Sequence, residues 1–240
     1  MIKRIPNPDC KLPGNLNQNV FRYMDIDKFK YLLKENKLYL CRIDKLQDRF
    51  EGTYSRQQIK EDNEWLTKKG YDEVINSEKL NRIKLRQQTY VTCWCLYETD
   101  LDLMWKAYIP IKDGVAIRTT VNKLIKICDD PNNNWPDIST VGYYDQANGE
   151  TLNYPGLDPF INKDLHFRLD NEIRIIYQPN IKLPSPEFLC LEINPSELIE
   201  EVILKPQSKI QFIEEIKKLL KQFDVKVPIS YSRDDRPVCE

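Results

Sequence analysis

Glycine and histidine are scarce in this 240-residue chain: there are seven glycines and one histidine, His166. No two glycines stand in a Gly-x-Gly arrangement. A Walker loop and a dinucleotide fingerprint are therefore excluded, because both need glycines for close backbone approach to phosphate. The Gly-x-Ser-x-Gly nucleophile elbow is also absent. With one imidazole, Ser–His or Cys–His catalysis rests on His166 alone, and a lone histidine is more often structural. A histidine-based metal site has almost no ligands to draw on, so no metal site is expected. No apolar run approaches the roughly 18 residues of a membrane helix. The opening residues, MIKRIPNPDCKLPGN, are polar and lack the apolar region of a secretion signal. A soluble cytoplasmic protein that makes no membrane contact is the expectation.

Cysteine is plentiful by comparison, with seven: Cys10, Cys41, Cys93, Cys95, Cys128, Cys190 and Cys239. An odd number without a secretion signal points to reduced thiols used in packing. Cys93-x-Cys95 is not a usual zinc spacing. The net charge is -1 with 30% charged residues. Overall charge therefore gives no pull toward nucleic acid.

The pattern of apolar residues predicts strands and helices without regular alternation, hence an α+β fold. We expect about eight strands in mixed or antiparallel sheets with packed helices. Strands are read at 17–24, 38–42, 89–96, 114–120, 138–144, 172–177, 188–193, 201–204 and 225–230. Helices are read at 25–35, 100–109, 122–128 and 208–223, the last the clearest amphipathic stretch. Asp25 or Asp27, Asp100 or Asp102, and Asn122 are the expected caps. Residues 1–16 read as an N-terminal arm, 17–232 as a single domain and 233–240 as a polar tail. Within the domain, 53–88 reads as a polar helical hairpin broken at Gly70, with Trp65, Leu66, Val74, Leu80, Ile83 and Leu85 on its inner face. The loop 43–52, with Asp48 and Glu51 flanking Phe50, reads as an ordinary turn in preference to the edge of a site, and 146–159 as a long loop.

The stretch KDLHFRLDNEIRIIY, 163–177, carries the chemistry. Its second half reads as a buried strand on which Glu172 and Arg174, two apart, share one face. An acid and a base on an apolar strand are costly to bury unless paired or solvated in a cleft. Arg22, Arg42 and Arg118 likewise sit in or beside apolar strands. Guanidinium groups gathered near a carboxylate suit a phosphate-bearing ligand. Trp94, Trp105, Tyr23 and Tyr143 offer stacking surfaces or core.

In order along the chain, FRYM, LYLCRIDKLQDRFEG, CWC with MWKAY, GVAIRTT, VGYY, and a lysine and an aromatic before NEIRII make the sequence resemble the bacterial family called domain of unknown function 2971. It departs from that pattern at Gln47-Asp48-Arg49, where the family has Asn-Asp-Pro. The family name carries no activity; toxin or phage-defence roles fit such a family. The chain also resembles ADP-ribosyltransferases of the arginine–serine–glutamate type, through Arg22 and Asp170-Asn171-Glu172-Ile173. It has Asp170 where a Glu or Gln usually stands and no clear Ser-Thr-Ser. That resemblance implies NAD as substrate and no other cofactor. It implies Glu172 and Asp170 as catalytic residues, and Arg22, Tyr23, Arg42, Arg118 and Arg174 as the nucleotide-contacting set. The alternative is a non-catalytic module that binds a protein or nucleic-acid partner, in which Glu172 and Arg174 form a structural ion-pair network.

Overall fold

The computed structural model describes residues 7–111, 113–145 and 157–232. Cys239, the tail 233–240, the first six residues of the expected arm and most of the expected 146–159 loop lie outside the described residues. The strands are β1 (Asn19–Asp25), β2 (Lys37–Arg42), β3 (Tyr90–Leu96), β4 (Gly114–Thr120), β5 (Asp137–Thr140), β6 (Gly142–Tyr144), β7 (Asn162–Asp164), β8 (Glu172–Tyr177), β9 (Phe188–Glu192), β10 (Glu201–Leu204) and β11 (Ile229–Tyr231). The helices are α1 (Ile26–Glu35), α2 (Arg56–Lys68), α3 (Asp72–Gln88), α4 (Asp102–Tyr108), α5 (Val121–Asp129), α6 (Asp158–Ile161), α7 (Pro195–Leu198) and α8 (Ile210–Gln222). The fold is α+β, as expected.

The chain divides into two compact units. One comprises Pro13–Tyr39, Cys93–Asn134 and the chain from Cys190 onward. Its centre is β4, antiparallel to β1 over seven residue pairs, from Asn19 opposite Thr120 to Asp25 opposite Gly114. β10 lies antiparallel to the other side of β4, and β11 runs parallel to β10. Phe21, Tyr23, Cys95, Met104, Trp105, Ile109, Ala116 and Ile203 form a core cluster. α1 is capped by Asp25, whose side chain accepts from the Lys28 N–H, and it buries Phe29, Leu32 and Leu33 as the 3.6-residue period predicts. α8 buries Phe212, Ile213, Ile216 and Leu220.

Two of the expected caps are corrected. α5 starts after Thr120 with no side-chain cap, so Asn122 lies inside the helix. α4 likewise lacks a side-chain cap. Asp100 accepts instead from the Trp105 indole N–H at 3.0 Å, and from the Ser232 hydroxyl at 2.5 Å. A buried indole N–H needs an acceptor, and that demand outweighs helix capping here.

The other unit comprises the chain up to Leu12, Leu40–Thr92 and Trp135–Leu189. β5 and β8 pair antiparallel, with Ser139 opposite Arg174. The expected strand 138–144 is interrupted at Val141, giving β5 and then β6, which runs parallel to β7. The described part of the arm is tied to β5, where the Thr140 N–H donates to the Lys11 carbonyl at 2.8 Å. α2 is capped by Ser55, and Gly70 breaks the hairpin at φ +78°.

The expected inner face of the hairpin is not found. Trp65 is 56% exposed, Leu80 57% and Ile83 45%, and α3 has no buried residue. The two helices meet through polar groups instead: Arg82 donates to Asp62 at 3.0 Å, and the Thr67 hydroxyl to Asp72 at 2.7 Å.

Gly114 opens β4 where a Cβ would stand 2.6 Å from the Met24 carbonyl oxygen and 2.7 Å from Ile109 Cδ1. A methyl there must push β1 and β4 apart. Gly114→Ala is expected to cost about 2 kcal/mol or more. A melting temperature lowered by about 5 °C or more in thermal unfolding checks this.

Candidate functional site: a buried carboxylate centre

Five charged side chains of the second unit converge at the start of β8: Glu51, Lys163, Asp170, Glu172 and Arg174. The strand places two of them. Glu172 and Arg174 project to one face, and the Arg174 Nε–H donates to Glu172 Oε2 at 2.7 Å. The remaining guanidinium N–H groups form a fork onto Glu51, with contacts of 2.9 Å to each of its oxygens. One of them also donates to the Phe160 carbonyl at 3.1 Å. Arg174 is wholly buried. Such a bidentate pairing is what makes a buried guanidinium tolerable.

Lys163 comes from β7 and reaches the other side of Glu172. Its ammonium donates to Glu172 Oε1 at 2.9 Å and to Asp170 Oδ2 at 2.7 Å, lies 3.3 Å from Glu51 Oε1, and sits 4.4 Å from the centre of the Phe167 ring. β6 sets its position: Tyr143 is opposite Lys163, and Gly142 opposite Asn162. A Cβ on Gly142 would meet the Asn162 side-chain oxygen Oδ1 at 2.4 Å, so a larger residue there would require that amide to turn. The 3-10 turn Leu165–Asp170 ends at Asn171, whose φ of 42° swings the backbone into β8 and leaves Asp170 at the rim. The Tyr143 hydroxyl accepts from the Glu172 N–H at 2.9 Å, which fixes the strand's first residue.

Glu51 comes from the loop after β2. Asp48 accepts from the Phe50 N–H at 2.9 Å and shapes that turn. Gly52, at φ +69°, lets the chain pass against the Phe160 ring, 3.2 Å from where a Cβ would stand.

The centre contains three carboxylates and two cations, so with all five ionised it carries one excess negative charge. Burial alone would raise the Glu172 carboxyl, but the charges of Arg174 and Lys163 outweigh it and hold the group down at about 2. Asp170 moves the opposite way: burial raises it, more than the hydrogen bond from Lys163 lowers it, and the neighbouring Glu172 charge raises it further. Burial would lower the Lys163 ammonium, yet Glu172, Glu51 and Asp170 raise it. Two adjacent carboxyl groups are thus driven apart in acidity. Glu172 lies inside with both oxygens engaged. Asp170, with 16% of its side chain exposed, faces outward beside Lys163.

Of the residues expected from sequence, Glu172, Asp170 and Arg174 come together. Arg42 is in the same unit, but its guanidinium is bound to Asp44 at 2.7 Å and to the Ser185 carbonyl at 2.7 Å. Arg22, Tyr23 and Arg118 belong to the other unit. There Arg22 donates to the Tyr39 carbonyl and lies over the Trp94 ring, and Arg118 binds Glu201, Glu200 and Asn19. Tyr23 packs edge-on against Trp105, and its hydroxyl accepts from the Leu101 N–H. His166 is exposed and pairs with Asp164.

Sequence reading left Glu51 out of the site, because its loop read as an ordinary turn in preference to a site edge. Its partner Arg174 is 123 positions away, beyond the reach of any local pattern. A charged loop ending in Glu-Gly after a strand was the available signal.

A scan against protein-family models gave no match, and neither did a search of curated proteins. Among solved structures, the chain is similar to Thermus sp. 2.9 DarT in complex with NAD+, at 12% identity and a TM-score of 0.44, covering 95% of this chain and 100% of that one. DarT in complex with carba-NAD+ matches at 12% identity and 0.42, covering 93% and 98%. DarT in complex with ADP-ribosylated ssDNA matches at 13% identity and 0.41, covering 98% and 99%. A likeness of this depth assigns no side chain a role, and the functional reading rests on the geometry above. Among the described residues there is no group of His, Cys, Asp and Glu that could hold a metal ion. No helix among them is long and apolar enough to cross a membrane.

The acidity of Glu172 has a stability consequence. Its folded value, about 2, lies below the ordinary 4.5. The stabilisation is therefore present above 4.5 and lost as pH falls toward 2. Urea unfolding across that range is expected to show stability falling with acidification, with a contribution on the order of 3 kcal/mol from this group. Glu172→Gln is expected to remove this group's share of the slope and to cost about 3–5 kcal/mol at neutral pH, because Arg174 and Lys163 lose a shared partner.

Proposed function

We propose that the chain transfers ADP-ribose from NAD at the carboxylate centre, with Asp170 as the group that faces the reactants. What carries the reading is the pair of adjacent carboxyl groups, Glu172 held inside with both oxygens engaged and Asp170 at the rim beside Lys163. The sequence resemblance around Asp170-Asn171-Glu172 points to the same place. In the reaction, the bond between ribose C1′ and the nicotinamide nitrogen breaks, and its electron pair returns to the ring, which leaves neutral. Positive charge builds on the ribose. A centre with one excess negative charge, preorganised and shielded from water, stabilises that charge where it develops. An acceptor then bonds to C1′, and its proton passes to the Asp170 carboxylate. Glu172, held by Arg174 and Lys163, supplies the fixed field. Arg42, in the same unit, is left to the phosphates in this reading, with Asp44 as the partner they would displace. Arg174 is given the task of holding carboxylates, because Glu51 and Glu172 already occupy it.

A second reading is favoured by one observation: both oxygens of Glu172 and of Glu51 are engaged by buried cations. In that reading the network is purely structural, and the chain binds a protein or nucleic-acid partner without catalysis.

Asp170→Asn separates the two. Asparagine can still accept from Lys163, so stability is expected to change by less than about 1 kcal/mol. Nicotinamide release from NAD is expected to fall by about a hundredfold or more. A nucleotide panel in a thermal-shift assay, run on both proteins, is expected to show stabilisation by NAD in each. Wild-type protein that neither binds NAD nor releases nicotinamide leaves the structural reading standing.

A further inference from the structure

The hairpin of α2 and α3 is joined to the carboxylate centre by an unbroken chain of hydrogen bonds through one arginine. Near the C-terminal end of α3, Arg86 donates from Nε to the Glu51 carbonyl and from a terminal nitrogen to the Arg49 carbonyl, both at 3.0 Å. These two bonds hold the loop on either side of Phe50. The Glu51 carboxylate then takes the Arg174 fork, and Arg174 takes Glu172. Gly52, the next residue, rests on the Phe160 ring, and the Phe160 carbonyl is another acceptor of Arg174.

We infer that Glu51 is the positioning residue of the carboxylate centre, and that Arg86 makes its position depend on the hairpin. The catalytic consequence rests on the ADP-ribose-transfer reading; the mechanical one does not.

Arg86 offers its donors to two backbone carbonyls, where a side chain aimed at bulk solvent would offer them to water. Within the loop, the Glu51 N–H donates to the Asp48 carbonyl at 3.1 Å, a bond that stays inside the same turn. A bidentate contact demands both distance and plane, so a small displacement of the carboxylate breaks one of its two bonds. Arg174 is wholly buried, so a displaced Glu51 carboxylate changes how the guanidinium meets Glu172 and the Phe160 carbonyl. The orientation of Glu172 is thereby sensitive to the loop. Misplacement of about 1 Å in a catalytic array costs up to a hundredfold in rate.

Arg82 supplies the control. It lies one turn earlier on α3, donates to Asp62 of α2 and lies over the Tyr54 ring, so it braces the hairpin without holding the carbonyls that Arg86 holds. The experiment compares wild type, Arg86→Gln and Arg82→Gln. The first readout is the solvent-exchange rate of the Arg174 Nε–H, seen by proton–nitrogen NMR at low temperature and mildly acidic pH, above the range in which Glu172 takes up a proton. The second is nicotinamide release from NAD, resolved into kcat and KM.

Arg86→Gln is expected to speed Arg174 Nε–H exchange by about tenfold or more and to lower kcat by about tenfold, with KM changed less than about twofold. Arg82→Gln is expected to leave both at wild-type values. Glu51→Gln, if it folds, should reproduce the Arg86→Gln exchange effect in stronger form. The inference is overturned if Arg86→Gln leaves the Arg174 signal unchanged, or if Arg82→Gln alters it equally. Absence of wild-type turnover would sink the transfer reading alone, since the exchange rate still decides the clamp.

Discussion

A guanidinium buried without water is the constraint around which the second unit is arranged. Arg174 cannot shed its charge at any accessible pH, and the interior offers it no solvent. Every N–H it presents has to meet an oxygen supplied by the chain. Glu172 comes from its own strand, Glu51 from a loop over a hundred residues upstream, and the Phe160 carbonyl from a short helix. Each of these carries a further obligation. Two carboxylates facing one arginine leave negative charge in excess, and Lys163 is drawn in to meet it. Lys163 in turn holds Asp170 at the edge. The positions of β7, the 165–170 turn and the 43–52 loop all follow from satisfying one buried cation.

Networks of this kind are ambiguous between architecture and chemistry. Replacing a buried ion cluster with apolar residues is often neutral or stabilising, so stability alone is a weak reason for its presence. An arrangement that keeps one carboxyl ionised and raises its neighbour has an evident use in reactions that build positive charge. The two roles also reinforce each other. A carboxylate clamped by two cations cannot reorient, and a fixed carboxylate is the better electrostatic stabiliser because no reorganisation is needed when charge appears.

Local pattern revealed most of the fold. β4, β10 and α8 fall where periodicity and turn residues place them, and α1 is capped and packed as its sequence indicates. The hairpin was legible as helix but not as to which face was inward, because Trp65, Leu80 and Ile83 are apolar yet meet no core. Asp100 looked like a cap and serves an indole. At the site, the spacing of Glu172 and Arg174 was enough to pair them, since a two-residue step on a strand is a fixed geometry. Glu51 was not legible, because nothing near it in sequence says that its partner is a distant arginine. Pairings set by tertiary contact leave no mark on a local window, and the contacts of Glu51 are of that kind, whereas Lys163, Asp170, Glu172 and Arg174 fall within one short stretch of chain.

Gly142 carries a consequence for variation in this chain. The strand it opens holds no charge of the centre, yet a methyl in place of its hydrogen would reach the side-chain oxygen of Asn162, the residue next to Lys163. That amide would have to turn, and the hydrogen bond it gives the Asp158 carbonyl is what it stands to lose. A change there would act through an uncharged side chain while leaving every ionisable residue intact. Inspection of the charged groups alone would therefore pass over it.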